Sequence, residues 1–244
     1  GYLSTILLFA CILLFIPLYF SFLSGVSLFG ILLLSVFGFF PASDIAVPLL
    51  NKIVAKFAKP AYLPRLKLID VVPASMQTFV VVPILLIDKE TIEEHIEQLE
   101  VHYLSNPGGV VHFALLSDWK DSITECSLGD EELLNIAKKG IEQLNSTHGL
   151  LENGQKRFFI FHRKRMWNQG ENKWMGWERK RGKLEEFNRL LRGASDTTYI
   201  SVDDEIPKDV KYVITLDADT RMPMGMVSQL VGTMAHPLNK PTFD

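Results

Sequence analysis

Residues 77–116 read QTFVVVPILLIDKETIEEHIEQLEVHYLSNPGGVVHFALL. The first eleven are nearly all apolar and rich in β-branched side chains, which suits a strand buried on both faces. Asp88 stands where a helix needs its N-cap. From Lys89 to Leu104 the apolar positions Ile92, Ile96, Leu99 and Tyr103 recur at helical spacing, while Glu93, Glu94, Glu97 and Glu100 fill much of the remainder. VVHFALL at 110–116 is a second apolar run. A strand, a helix and a second buried strand form the unit from which parallel sheets are built.

The pattern continues downstream. DEELLNIAKKGIEQLNSTHG, from Asp130 to Gly149, predicts a helix with Leu133, Leu134, Ala137, Ile141 and Leu144 on one face. RFFIFH at 157–162 predicts a third strand, KLEEFNRLLRG at 183–193 a third helix stopped by Gly193, and KYVITL at 211–216 a fourth strand. The fold class is therefore α/β, with a mostly parallel sheet. In such sheets ligands bind beyond the carboxyl ends of the strands.

Upstream the chemistry changes. Residues 1–43 contain no Asp, Glu, Lys or Arg, although the chain carries 25 basic and 28 acidic side chains and a net charge of −3. One bilayer span takes about 20 apolar residues, so this stretch predicts two transmembrane helices, from about Leu3 to Phe22 and from about Leu28 to Leu50, with Ser21, Ser24, Gly25 and Ser27 between them. A signal peptide would have a basic start and a short apolar core, and neither is present. Lys52, Lys56, Lys59, Arg65 and Lys67 follow with no acid between Lys52 and Lys67. By the positive-inside rule this flank stays in the cytoplasm. The expected organisation is a transmembrane hairpin over 1–50, a basic cytoplasmic linker over 51–75 punctuated by Pro60, Pro64 and Pro73, and a soluble domain over 76–244. The expected partners include the lipid bilayer, and no nucleic acid.

The strand ends carry the candidate chemistry. KYVITL runs into Asp217, Ala218 and Asp219, and two carboxylates one residue apart can share a divalent cation (Mg2+ or Mn2+) or present one to a diphosphate. Two acids in a loop can also be merely solvated. The second strand runs into Asp118, which can accept hydrogen bonds from a base or ribose or cap a turn. Residues 88–152 hold 14 acids and 4 bases, whereas 156–192 hold 12 bases and 4 acids. The basic stretch, with Trp167, Trp174 and Trp177 and with Gly170, Gly176 and Gly182, reads as a loop suited to a diphosphate, RNA or an anionic lipid surface, or simply to water. His112 and His162 lie in apolar strands and read as core histidines. Cys11 and Cys126 have no neighbours at metal-ligand spacing.

MWNQGENKWMGWERKRGKLEEFNRLLRGA at 166–194 and YVITLDADTRMP at 212–223 together resemble the membrane glycosyltransferase region of the cyclic β-1,2-glucan synthases. The second block also resembles the wider set of inverting family-two glycosyltransferases of GT-A fold. The resemblance implies a GT-A, Rossmann-like domain that transfers glucose from UDP-glucose to a growing β-1,2-glucan acceptor at the inner membrane. It implies that Asp217 and Asp219 form the metal and diphosphate motif, with Asp219 the direct ligand. Asp118 is then the uracil-contacting acid, and Lys183 and Asn188 belong to the donor site, Phe187 standing where relatives have Leu. Relatives carry a general-base Asp and a Gln-x-x-Arg-Trp motif well downstream of the metal motif. The sequence ends at Asp244 without them, so a donor-binding fragment is expected and no catalytic base is assigned.

Two other readings compete. Phosphatases of the haloacid-dehalogenase type also place Asp-x-Asp after an apolar strand, but Arg221 stands where they require Thr or Val. A membrane-anchored module that binds nucleotide or polyanion without catalysis would use the same basic stretch.

Overall fold

The computed structural model describes residues 1–58, 62–68, 71–200 and 206–242. Lys59 and Pro60 of the expected linker, and Asp244, lie outside the described residues. The chain forms two units, Gly1–Tyr62 and Leu63–Asp244.

The first unit is a helical hairpin, α1 (Tyr2–Leu23) and α2 (Leu28–Phe57). Gly25 at φ +75° makes the turn, and the Ser27 hydroxyl caps α2 by accepting from the Gly30 amide at 3.2 Å. The helices meet through small side chains, with Ala10, Ala42 and Ala46 buried around Leu14. Most of their large apolar side chains are exposed, and both helices are long and apolar enough to cross a membrane. The second runs a full two turns beyond its expected end at Leu50. Asn51–Phe57 contains no Gly or Pro, and Lys and Ala are good helix formers, so nothing local stops it before Phe57.

The second unit is built on a five-stranded sheet. Strands β1 (Thr78–Leu86), β2 (Val111–Trp119), β3 (Phe158–Arg163) and β7 (Tyr212–Thr215) are parallel, and β6 (Tyr199–Ile200) is an antiparallel edge, in the order β6-β3-β2-β1-β7. A two-stranded hairpin, β4 (Met166–Asn168) and β5 (Lys173–Met175), stands apart. The helices are α3 (Lys89–Ser105), α4 (Asp130–His148), α5 (Arg179–Leu191) and α6 (Met226–Ala235). Asp88 caps α3, accepting from the Thr91 amide at 2.8 Å.

The period-two alternation of β1 sorts the core into two layers. Val80, Val82, Ile84 and Leu86 face Ile92 and Leu99 of α3, Ala137 and Ile141 of α4, and Val227 and Val231 of α6. Phe79 and Val81 face the other way, onto Phe159, Phe161 and Phe187 of α5. Phe187 sits edge-on to Phe79 at 5.5 Å and to Phe161 at 5.0 Å. A fully buried Phe contributes roughly 1.5–3 kcal/mol, so this one residue anchors α5 to the sheet.

One expectation changes. The basic stretch, read as a loop, contains the β4–β5 hairpin. The Asn168 carboxamide closes its turn by accepting from the Gly170 and Glu171 amides at 2.9 and 3.1 Å, and Trp167 pairs with Trp174 across it. Within the expected linker over 51–75, residues 64–68 and Val72 pack on the second unit. The Leu66 amide donates to the Gly232 carbonyl at 3.0 Å, and Val72 bridges Gly109. Both contacts need glycine, because a Cβ on Gly232 would lie 2.4 Å from the Leu66 carbonyl oxygen and one on Gly109 2.1 Å from that of Val72.

Candidate functional site

Strand β1 is flanked by β2 on one side and β7 on the other, so the strand order reverses beside it. A crevice opens beyond the carboxyl ends of such strands. Here it is a cleft of about 340 Å³ lined by Ile84 and Leu85 of β1, Asp118 and Trp119 of β2, Ala218 after β7, and Gly176, Arg179, Lys180 and Lys183 from the β5–α5 segment. His95 and Asp121 complete its wall.

Arg163 organises the floor. It ends β3 directly across from Asp118 in the parallel register and is fully buried. All five of its N–H donors are used. Nε donates to Asp118 Oδ1 at 2.8 Å, and Nη2 to Asp118 Oδ2 at 2.9 Å and to the Arg179 carbonyl at 3.0 Å. Nη1 donates to the Trp177 carbonyl at 3.0 Å and to Glu186 Oε2 at 2.7 Å. Burial works to lower the Arg163 pKa, but the Asp118 and Glu186 carboxylates outweigh it and the net shift is upward. The guanidinium stays charged. Glu186 in turn accepts from the Thr198 amide at 2.9 Å and its hydroxyl at 2.7 Å. One buried guanidinium thus ties together β2, the turn before α5, α5 itself and the start of β6.

Lys183 completes the cluster. Its Nζ donates to the Ile84 carbonyl at 2.6 Å and lies 3.1 Å from Asp118 Oδ2. Burial lowers its pKa and the Asp118 charge pulls in the opposite direction. Gly176 lets the β5–α5 turn close over the pair: a Cβ there would stand 2.5 Å from Asp118 Oδ2 and 2.8 Å from Arg163 Nη2. Arg165 fixes the Trp119 wall, sitting over the indole at 5.3 Å while donating to the Lys120 carbonyl at 2.7 Å and to both Asp130 oxygens.

The five residues singled out from the sequence are placed as follows. Asp118 and Lys183 meet in the cleft. Asp118 lies within β2 rather than after it, because the strand runs three residues past Leu116. Lys183 sits one turn inside α5, which starts at Arg179 rather than at Lys183. Asp217 is exposed and reaches the cleft through its ion pair with the cleft residue Lys180. Asp219 is exposed, beyond the lining residues. Asn188 is exposed on α5, outside the lining. Five residues on from Lys183, it stands about 140° round the helix, whereas Phe187 shares the Lys183 face.

Arg163, Glu186, Arg179 and Lys180 were not singled out. A charge ending each of two neighbouring apolar runs, Asp118 and Arg163, is the one signal that could have pointed to the pair. For the metal motif, no three His, Cys, Asp or Glu side chains converge among the described residues. Two exposed carboxylates nevertheless supply the hard oxygen donors that Mg2+ takes from protein when substrate phosphates provide others, so Asp217 and Asp219 fit a divalent cation.

No protein-family model matches the chain. Over 221 residues, 91% of its length, the chain is 43% identical to cyclic beta-(1,2)-glucan synthase NdvB of Rhizobium meliloti (strain 1021). The chain is similar to a segment of a cyclic glucan synthase. That likeness bears out the resemblance read from residues 166–194 and 212–223. The chain spans 8% of the length of NdvB.

Proposed function

We propose that this chain forms the donor-binding part of a GT-A-type, inverting glycosyltransferase, which transfers glucose from UDP-glucose to a growing β-1,2-glucan at the inner membrane. The observation that carries this reading is the 43% identity to a cyclic glucan synthase over nearly the whole chain, and the cleft supplies chemistry that suits a nucleoside diphosphate sugar.

In this reading the apolar wall of Ile84, Leu85 and Trp119 holds the base, and Asp118 accepts from uracil. Its carboxylate takes three hydrogen bonds from Arg163 and Lys183, which leaves about one of its four lone-pair sites for a ligand. The same bonds fix its orientation before the donor arrives. Arg179 and Lys180 face the diphosphate. Asp217 and Asp219 hold the divalent cation, which supplies charge neutralisation for the departing UDP. Lys183 braces Asp118 and the end of β1 from beneath. Asn188, exposed on the far side of α5, acts at most through that helix.

Exchange of the metal ligand is the direct test. Asp219→Asn nearly preserves shape and removes a charge, so metal-dependent UDP affinity should fall more than about tenfold, or ~1.4 kcal/mol. Titration calorimetry at fixed Mn2+ measures it, and unchanged affinity would refute the assignment.

The hairpin of α1 and α2 spans the membrane in this proposal. Lys52, Lys56, Arg65 and Lys67 keep the following unit in the cytoplasm. A reporter active only in the cytoplasm, fused after Leu68, should be active, whereas activity of a periplasm-dependent reporter at the same point would reverse the orientation.

A further inference from the structure

Each cation lining the cleft is neutralised by a carboxylate of the chain. Lys183 faces Asp118 at 3.1 Å, Arg179 holds Asp121 at 3.0 Å and Glu171 at 2.7 Å, and Lys180 pairs with Asp217. A diphosphate entering a cleft balanced in this way must displace one of these carboxylates.

The pairs differ in how easily they open. Separating Lys183 from Asp118 would uncouple charges that are each about 3% exposed, which is strongly unfavourable. Arg179 is held by two carboxylates at once. Lys180 and Asp217 make a single contact between side chains 52% and 61% exposed, the kind of pair that costs least to break. Asp217 is also one of the two carboxylates suited to the cation, so its present partner occupies the place the cation would take.

We propose that Lys180 exchanges partners on loading. It holds Asp217 in the empty cleft, then yields that carboxylate to the divalent cation and turns to the donor diphosphate. The inference rests on the donor-site reading above and adds to it a residue that couples the two ligands. Because Lys180 is released by one ligand and used by the other, each ligand tightens the other, and by linkage the two effects are equal.

Lys180→Met keeps the apolar stem and removes the charge at a half-exposed position, so folding is not at stake. Calorimetry on the detergent-solubilised full chain reads two quantities, Mn2+ affinity without nucleotide and UDP affinity at saturating Mn2+. The exchange requires changes of opposite sign. Mn2+ alone should bind about two- to fivefold tighter, since no internal pair must be broken, while UDP should bind at least about fivefold weaker, since a charged phosphate contact is lost. Lys180→Arg should keep UDP affinity within about twofold of the parent. Unchanged Mn2+ affinity in Lys180→Met overturns the exchange, and weakening of both ligands assigns Lys180 a structural role instead. Failure of the parent chain to bind either ligand would overturn the donor-site reading itself.

Discussion

An Arg163→Met protein should unfold about 3–5 kcal/mol more easily than the parent, the usual cost of removing one partner from a buried ion pair. The carboxylates of Asp118 and Glu186, each about 5% exposed as side chains, lose the guanidinium that justifies their burial. The Trp177 and Arg179 carbonyls lose their donors as well. For a unit of this size the change corresponds to a fall in midpoint of roughly 6–20 °C. Replacing all four charges, as Arg163→Met with Asp118→Leu, Glu186→Met and Lys183→Met, should recover much of the loss, because Lys183 is paired with Asp118 and a buried ionic cluster is often no more stable than apolar side chains of similar volume. Thermal unfolding of the detergent-solubilised proteins decides it, and a single-variant loss below about 1 kcal/mol would mean that the cluster does not hold the site together.

Acid should destabilise the second unit well before its carboxylates protonate. Burial lowers the pKa of His112 to about 4 and that of His162 to about 3. The geometry around each ring favours the neutral form. His112 places Nδ1 2.9 Å from the Lys156 carbonyl and Nε2 2.9 Å from the Gln77 carboxamide nitrogen, which assigns Nδ1 as donor and Nε2 as acceptor. His162 bonds Ser117 through Nδ1 at 2.8 Å and leaves Nε2 buried against the Trp119 ring, with no partner among the described residues. The unfolded chain takes up both protons near pH 6.5 while the folded chain resists until about pH 4 and 3. Stability is therefore fully present above pH 6.5 and falls as pH drops toward the folded values. The slope is about 1.4 kcal/mol per pH unit for each histidine, or about 4 kcal/mol for the pair between pH 8 and pH 5. Urea unfolding across that range measures the slope. His162→Gln should remove about half of it whatever its effect on stability at pH 8, and an unaltered slope would show that His162 is protonated in the folded chain.

The elements themselves were legible along the chain. The β-branched apolar run QTFVVVPILLI, the Asp88 cap and the helical spacing of Ile92, Ile96 and Leu99 fall close to the observed β1 and α3, because dihedral preference, capping and side-chain periodicity act over a few residues. The uncharged start likewise marks out the two apolar helices. The hairpin β4–β5 was missed for a comparable physical reason: with three residues per strand its alternation is too brief to register as a pattern, and its turn depends on one carboxamide.

The candidate site divides along the same line. Asp118, Asp217 and Asp219 stand at the ends of apolar runs, Lys183 was selected through the resemblance of residues 166–194, and the order of strands and helices was enough to direct attention to the carboxyl ends of the sheet. Which charges meet was settled by folding. Arg163 lies 45 residues from Asp118 and Lys180 lies 37 from Asp217. Their partnerships follow from strand register, from the face that Phe187 turns toward the sheet, and from the close approach that Gly176 permits. Local propensities act along the chain, whereas burial of a guanidinium among carboxylates becomes favourable only when several distant segments supply all its acceptors at once.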